Sequence, residues 1–432
     1  LIFSFLSKIF ASKKGISFVE LVAPAIKDDG IMVLAQSQQA YYETLFDDKK
    51  KNYKLIKFVP ASGAATRMFK FLYTFLANYD VTKDSLNGYI NKTNNIALRL
   101  FFVGIEGFPF YKKVRKKLKK ANKWEKNRND NYNKLDFIKM MLTEDGFDFG
   151  NKPKGLLPFH RYKDHVASPF EEHLYEAAAY SENKGVANVH FTISEAHYKA
   201  FKKEFVKRQQ YLEDKTDVTF DINYSFQSKS SDTIALTESN DIVRDENNQI
   251  LFRPGGHGAL ISNLNDIKGD IVFIKNIDNV TVNTFFEDIV SHKKILAGIL
   301  IETQEKVFEY LRLLDASDNT LETSILLDIY SFLKEKLNFR NTIDFELLSL
   351  AEKLQLIRNT LNKPLRICGM VKNEGEPGGG PFWVRNAQGE VTLQIIESVQ
   401  IDAQNEEQQS ILNQSTHFNP VDIVCSLRDY KG

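Results

Sequence analysis

Phe252-Arg253-Pro254-Gly255-Gly256-His257-Gly258-Ala259 precedes, by a short interval, the run Phe273-Ile274-Lys275-Asn276-Ile277-Asp278-Asn279-Val280. A glycine-rich turn between apolar runs, then a β-rich run closing on a single aspartate, points to an α/β sheet with chemistry at its strand ends. Glycine lacks Cβ and reaches positive φ, so such a turn lets the backbone lie close against a ligand. A carboxylate at the carboxyl end of a parallel strand faces the crevice in which open α/β sheets bind ligands. Asp278 is expected to be buried there, and Lys275 to face solvent.

The same logic applies earlier in the chain. Leu55-Ile56-Lys57-Phe58-Val59 is a β-rich run that enters the small-residue loop Pro60 to Arg67, and Met68 to Leu72 reads as the start of a helix. Phe170 to Tyr180 reads as a helix with Glu171 and Glu172 in its first turn. Val186 to Ile193 and Val218 to Phe226 read as strands, separated by a helix over Ala196 to Leu212. This alternation predicts an α/β, Rossmann-like sheet, mixed but mostly parallel, with helical additions. The expected divisions are an N-terminal helical extension over 1–54, an α/β core over 55–284, a helical insertion over 285–360, and C-terminal strands over 361–432 that complete the core. Those strands are Leu365 to Val371, Phe382 to Val384 and Val391 to Ile396.

Charge removes some classes of partner. Fifty-seven basic residues balance 56 acidic ones, so the chain as a whole has no bias toward polyanions. The run Lys112, Lys113, Arg115, Lys116, Lys117, Lys119, Lys120 and Lys123 is spaced like a solvated helix face, and no nucleic acid partner is expected. Cys368 and Cys425 give no disulfide framework. Leu1 to Leu6 is apolar but far short of the about 20 residues that span a bilayer. A cytoplasmic location and no membrane partner are the expectations.

Several residue types fit phosphate chemistry. Ser62, Gly63, Ala64 and Thr66 let backbone N–H groups face phosphates, a following helix would add its dipole, and Arg67 supplies a fixed positive charge. The plainer alternative is a tight strand–helix turn with an exposed arginine. Lys154 sits on a loop crest. Gln227, ending a strand, can pair with a base through its amide. Asp278 suits Mg2+, which binds through one or two carboxylates together with substrate oxygens; the alternative is an aspartate that caps its own turn.

These stretches resemble the blocks of eukaryotic-type UDP-sugar pyrophosphorylases. Arg253 to Ala259 resembles their PPGHGD block and Asn276 to Val280 their NIDNL block, while Ala61 to Met68 is similar to the LAGGxGTRL loop of sugar nucleotidyltransferases. Ser62 and Ala65 replace glycines in that loop, and Ala259 stands where many relatives have an acidic residue. Met370-Val371-Lys372 with Gly378-Gly379-Gly380 resembles the VxNKTxxDxKGG segment. Leu393 to Gln400 resembles the LLEIAQVP and EYSE blocks, and Thr416-His417-Phe418-Asn419 the NHFF element. Nearly the whole chain is identified as a member of a bacterial family, domain of unknown function 4301, through FVPASGAATRMFK at Phe58 to Lys70 and FRPGGHGAL at Phe252 to Leu260.

The resemblance implies a nucleotide-diphosphosugar transferase fold. It also implies a Mg2+-dependent nucleotidyltransferase that makes an NDP-sugar and pyrophosphate from an NTP, UTP for preference, and a sugar 1-phosphate. Arg67, Lys154 and Lys372 would be its catalytic cations. Ser62, Gly63, Ala64, Thr66, Gln227, Gly255, Gly256, His257 and Gly258 would bind nucleotide, Gly379, Glu397 and His417 the sugar, and Asp278 the metal, with Glu397 or Asp402 as a second carboxylate. Two alternatives stay open. One is a nucleotide or nucleotide-sugar binding protein without catalysis, favoured by Ser62, Ala65 and Ala259; the other is a nucleotidyltransferase on a non-sugar phosphate.

Overall fold

The computed structural model describes residues 18–63, 65–125, 127, 129–237, 239, 241–253, 255–317, 321–340, 344–376, 378–387 and 389–432. Its centre is a sheet whose first strand, β1 (Leu55–Pro60), is buried along its whole length. A strand flanked on both sides and covered on both faces reads as a continuous apolar run, which is what LIKFVP supplies apart from Lys57. From β1 the chain passes through helix α1 (Pro169–Tyr180) to strand β2 (Val186–Ile193), then through helix α2 (Tyr198–Thr216) to strand β3 (Thr219–Phe226). Strand β4 (Ile271–Lys275) returns to the opposite side of β1. Helix α3 (Phe286–Ala316) follows, then strands β5 (Leu365–Cys368) and β6 (Asp422–Ser426).

Across the sheet the order is β5-β6-β4-β1-β2-β3, with the two-residue strand Glu182–Asn183 added beside β2. β4, β1, β2 and β3 are mutually parallel, and β6 and β5 are antiparallel to their neighbours. The chain leaves β1 toward β2 and comes back on the other side as β4. The gap between the carboxyl ends of β1 and β4 is therefore the switch point, where open sheets of this kind bind ligands.

α1 begins where its sequence signals say. Ser168 caps it, accepting from the Glu171 amide at 3.3 Å, Pro169 occupies the first turn, and Glu171 and Glu172 face the positive end of the helix. Val59, Phe170, Leu174, Ala177, Phe191 and Phe201 close one core between α1, α2 and the sheet. Phe46, Tyr180, Ile271, Phe273, Leu300 and Val424 close another beneath α3 and helix Gln36–Lys49. The opposite sheet face is covered more thinly, with Leu264 and Ile267 lying over Phe58, Val272 and Cys425.

Between β1 and α1 stands a helical section that the strand–helix alternation does not announce. Helices Lys70–Asn78, Leu86–Thr93, Ile96–Val103, Tyr111–Lys120 and Asp130–Leu142 enclose their own aromatic core, including Phe75, Phe102, Phe110 and Phe137. Tyr111, Val114 and Leu118 turn inward from the basic helix, so its lysines form the solvated side as expected. The anticipated helices after residue 285 are α3, Thr323–Lys336 and Leu350–Leu361.

Within 18–54, Glu20–Pro24 is a strand as well as Gln36–Lys49 being a helix. That strand pairs antiparallel with Gly380–Arg385, which pairs in turn with Val391–Ile396. The run expected as one strand over Leu365 to Val371 is two, because the chain breaks at Gly369, whose amide donates to the Asp422 carbonyl, before Val371–Lys372 pairs with His417–Phe418. Among the described residues, no helix is long and apolar enough to cross a membrane.

At Gly298, α3 lies directly against the backbone of helix Gln36–Lys49. A Cβ there would fall on the Tyr42 carbonyl, a backbone group that cannot turn aside. Gly298→Ala should cost about 1–3 kcal/mol, the usual price of overpacking, read as a lower denaturation midpoint. An unchanged midpoint would mean that the two helices do not pack at this distance.

Candidate functional site

At the carboxyl ends of β1 and β4 three segments interlock. The Ala61 amide donates to Thr192 O at 2.8 Å, tying the first loop to the end of β2, and the Ile277 amide donates to Pro60 O at 3.1 Å, tying the turn after β4 to β1. Segment 150–156 wedges between them. Ala65 N donates to Lys152 O at 3.1 Å, Lys154 N to Gly63 O at 3.2 Å, and Thr66 Oγ1 to Gly150 O at 2.9 Å. A Cβ on Gly155 would lie 3.0 Å from Ile277 Cγ1 and from the Phe201 ring, so the wedge passes tightly against both side chains. The result brings Lys154 Nζ to 2.5 Å from Asp278 Oδ2, across 124 residues of sequence.

Asp278 corrects the expectation of burial. Its side chain is 40% exposed and that of Lys154 26%. The strand ends at Lys275, and the two residues that follow lift Asp278 onto the crest. Lys275 corrects the opposite expectation: it is buried, and its Nζ donates to Glu176 Oε1 at 2.6 Å.

The first loop also differs from its expected form. Ala65–Arg67 is a 3-10 turn and the α-helix starts only at Lys70, so no helix N-terminus closes directly on the loop. The Ala65 amide is taken by Lys152, which leaves Ser62, Gly63, Thr66 and Arg67 to face a ligand. Gly63, Thr66 and Arg67 are exposed and Ser62 is half-buried. Ala64 and the side chain of His257 lie outside the described residues.

A second group forms at the end of β3. Gln227 Nε2 donates to Ser231 Oγ at 3.3 Å, and a Cβ on Gly255 would lie 2.9 Å from Ser231 O and 3.6 Å from Gln227 Nε2. Gly255 is thus glycine for close approach. Neither Gly255, Gly256 nor Gly258 has positive φ, and a Cβ on Gly256 or Gly258 would meet open space, so the positive-φ rationale does not hold here. Asn263, donating to Ser225 Oγ and Phe226 O at 2.9 Å each, fastens the segment after this turn to β3. A cavity of about 830 Å3 runs along the outer edge of β3, lined by Tyr198, Lys199, Tyr224 and Phe226 among others, and none of the crest residues lines it.

The third group belongs to the C-terminal strands. Lys372 stands opposite His417 in the short pairing, and Gly379 bridges to Asn419. A Cβ on Gly379 would be 3.7 Å from Glu397 Cγ, so Lys372, His417, Gly379 and Glu397 are gathered together. Lys372 is exposed, 3.9 Å from Glu374 Oε1, and His417 Nδ1 lies 2.7 Å from Thr416 Oγ1. Asn279 joins this group to the crest by donating to Pro420 O at 2.6 Å. Asp402 caps its own turn, accepting from the Gln404 amide at 2.9 Å. Among the described residues, Asp278 lies in no cluster of three or more His, Cys, Asp or Glu that could hold a metal.

Sequence reasoning missed what lies beneath the crest. Lys57 Nζ donates to Glu176 Oε2 at 2.7 Å and to His173 O at 3.0 Å; Tyr180 Oη also donates to Glu176 Oε2, at 2.9 Å. His173, fully buried, places Nε2 3.1 Å from Asn276 O and 3.2 Å from Ile277 O. Burial pushes Lys57 down to about 7, against the pull of Glu176 and with the help of Lys275. Glu176 is held well below the usual carboxylate range: burial alone would raise it, and the two lysines outweigh burial. The available signal was a lysine inside one apolar strand and another closing a second, with His173, Glu176 and Tyr180 recurring on one side of α1.

An open mixed α/β sheet with opposed charges gathered at its switch point defines the class of this protein. The chain belongs to the family described as a domain of unknown function, DUF4301, whose model matches residues 5–432. No curated protein matches it. Among solved structures, the uridine diphosphate N-acetylglucosamine pyrophosphorylase from Trypanosoma brucei, in complex with inhibitor, is similar over 98% of this chain and 58% of its own, at 12% identity and TM-score 0.44. A mutant UDP-glucose pyrophosphorylase from Leishmania major in complex with UDP-glucose is similar over 99% of this chain and 59% of its own, at 11% identity and TM-score 0.35. The chain therefore spans less than two thirds of the length of these structures.

The Lys57 value makes stability depend on pH. In the unfolded chain its amine keeps the ordinary lysine value of 10.5, so above about pH 7 the native side chain loses its proton first. The unfolded state then binds more protons, and stability rises as pH increases from about 7 toward 10.5. Denaturant unfolding between pH 7 and 9 should show this rise, and Lys57→Met should reduce its slope by about one kcal/mol per pH unit. The same slope in the variant would mean that Lys57 does not titrate in this range.

Proposed function

We propose that this protein is a nucleotidyltransferase, joining an NTP and a sugar 1-phosphate into an NDP-sugar with release of pyrophosphate. One observation carries the proposal: Lys154 and Asp278 meet at 2.5 Å on the crest of the switch point, beside the first loop. A cation and an acid exposed together there suit a ligand whose phosphates need both a fixed cation and a metal. The motif resemblance to sugar nucleotidyltransferases supports the substrate class, with UTP as the preferred nucleotide.

In this reaction a phosphate oxygen of the sugar 1-phosphate attacks the α-phosphorus. A new P–O bond forms, the bond from the α-phosphorus to the bridging oxygen breaks, and pyrophosphate leaves with that electron pair. No protein nucleophile is required, so catalysis is positioning and charge neutralisation. Arg67 would hold the β- and γ-phosphates, Lys154 the transferring phosphate and Lys372 the sugar phosphate. Gln227 and the Gly255–Gly258 turn would frame the base, and Gly379, Glu397 and His417 the sugar.

One exposed carboxylate fits Mg2+ of the kind held largely by substrate phosphates and water, which needs no protein cage. Asp278 would hold it, and when bound it would supply charge neutralisation on the phosphates. Lys154 pairs with Asp278, so with Asp278 holding the metal the lysine would be free to turn to the phosphates. That same ion pair favours a second reading, a nucleotide or nucleotide-sugar sensor in which the lysine stands permanently in place of a metal.

Purified protein incubated with Mg2+, each NTP and a panel of sugar 1-phosphates should release pyrophosphate with one pairing. Asp278→Ala should abolish release without lowering the unfolding midpoint, and Lys154→Ala should slow it by about 100-fold or more. No release from any pairing, with thermal stabilisation by a nucleotide or NDP-sugar, would replace the enzyme with the sensor. Near-normal turnover in Asp278→Ala would remove the metal assignment.

A further inference from the structure

The Asp278 turn is a short, exposed excursion, closed by the Asn279 amide donating to Asn276 O at 3.0 Å and met on the crest by Lys154. It is fixed from below. Ile277 N donates to Pro60 O on one flank, Asn279 Nδ2 donates to Pro420 O on the other, and the Asn276 and Ile277 carbonyls both point down at His173 Nε2. An imidazole nitrogen between two carbonyl oxygens at 3.1 and 3.2 Å can only be a donor, which sets the tautomer as Nε2–H and leaves Nδ1 as a lone pair. Nδ1 is buried and has no hydrogen-bond partner among the described residues, so no acceptor stands there to receive a second ring proton.

We propose that His173 is the positioning residue of the Asp278 turn, its Nε2–H drawing down the Asn276 and Ile277 carbonyls so that the Asp278 carboxylate is presented to Lys154 and to whatever the crevice binds. The inference rests on the nucleotidyltransferase reading for its ligand, and on the contacts alone for its geometry.

The surroundings explain why the ring stays a donor of fixed charge. On α1, Glu172 and Glu176 lie within a turn of it; β1 contributes Lys57, β4 contributes Lys275, and α3 contributes the buried Lys293, paired with Asp422 of β6. Three lysines outnumber the carboxylates that touch them. Burial first, and the Lys57 charge next, hold the imidazole well below its ordinary value. Both effects favour the neutral ring, whose single proton on Nε2 is the one the two turn carbonyls accept.

Three measurements test the proposal. In the unaltered protein, 15N-labelled histidine should show His173 as the Nε2–H tautomer from pH 5 to 8; a titrating signal, or the Nδ1–H tautomer, overturns it without any variant. Next, Lys154 reactivity toward an amine-acylating reagent, read by mass spectrometry on the ligand-free protein, should rise several-fold in His173→Leu and His173→Asn. It should return to the original level in His173→Gln, whose amide nitrogen reaches the position of Nε2. Unchanged Lys154 reactivity in any folded Leu or Asn variant overturns the proposal.

Last, Mn2+ affinity measured by electron paramagnetic resonance in the presence of each NTP should fall about tenfold in His173→Asn, while NTP binding in EDTA stays the same. Equal loss in both conditions would make His173 a general structural residue and end the positioning role. If Lys154 reactivity shifts as expected but the unaltered protein binds no Mn2+ with any NTP, the positioning role stands and the nucleotidyltransferase reading fails.

Discussion

Glu176 is the interaction on which the site depends. Each of its carboxylate oxygens accepts from a different buried lysine, one from β1 and one from β4, and Tyr180 donates to the oxygen that Lys57 uses. Those two strands bound the switch point, so a single side chain of α1 sets their relation from beneath. Burying ions costs several kcal/mol each unless geometry and hydrogen bonds offset it. Here the two lysines outweigh burial at Glu176 and hold its carboxyl down, while burial outweighs Glu176 at Lys57 and lowers its amine. A hydrophobic trio could hold the same backbone, but it would not fix the neighbouring imidazole in one charge state beneath the crest.

Much of the sheet was legible because its residues answer to local rules. Val186 to Ile193 alternates and is bounded as strands are, and Ser168-Pro169 with two glutamates leaves no doubt where α1 begins. The crest was legible in part: a turn after a buried strand is where α/β proteins put chemistry, and Asp278 and the first loop are both there. What could not be read was decided at long range. Lys57 and Lys275 look like surface lysines until Glu176, about 100 residues from either, is placed between them. In the helical section Lys70–Leu142 only the first helix and the basic helix face were read; the rest escaped because its apolar residues are aromatic and crowded, with Phe101, Phe102, Phe108 and Phe110 close together, and such runs carry little period. Glycine identity misled in one respect, since Gly255 serves close approach and its neighbours in the turn meet open space.

The two halves of the site are joined through strained backbone. Val421 has φ of 59°, a conformation that a β-branched residue adopts only when its surroundings impose it, at a cost of about 1–3 kcal/mol. The imposition is visible. Asn419 accepts from the Val421 amide through Oδ1 at 2.9 Å, donates through Nδ2 to Gly369 O at 2.7 Å, and donates through its own amide to Gly379 O at 2.9 Å. These bonds turn the chain from His417-Phe418, on the Lys372 side, back into β6, and they aim the Pro420 carbonyl at Asn279. Asn279 Nδ2 donates to that carbonyl at 2.6 Å, so the turn at Val421 sets where the segment leaving His417-Phe418 meets the residue after Asp278. The strain is therefore located where the C-terminal strands must be registered against the crest, and the hydrogen bonds that enforce it converge on one asparagine.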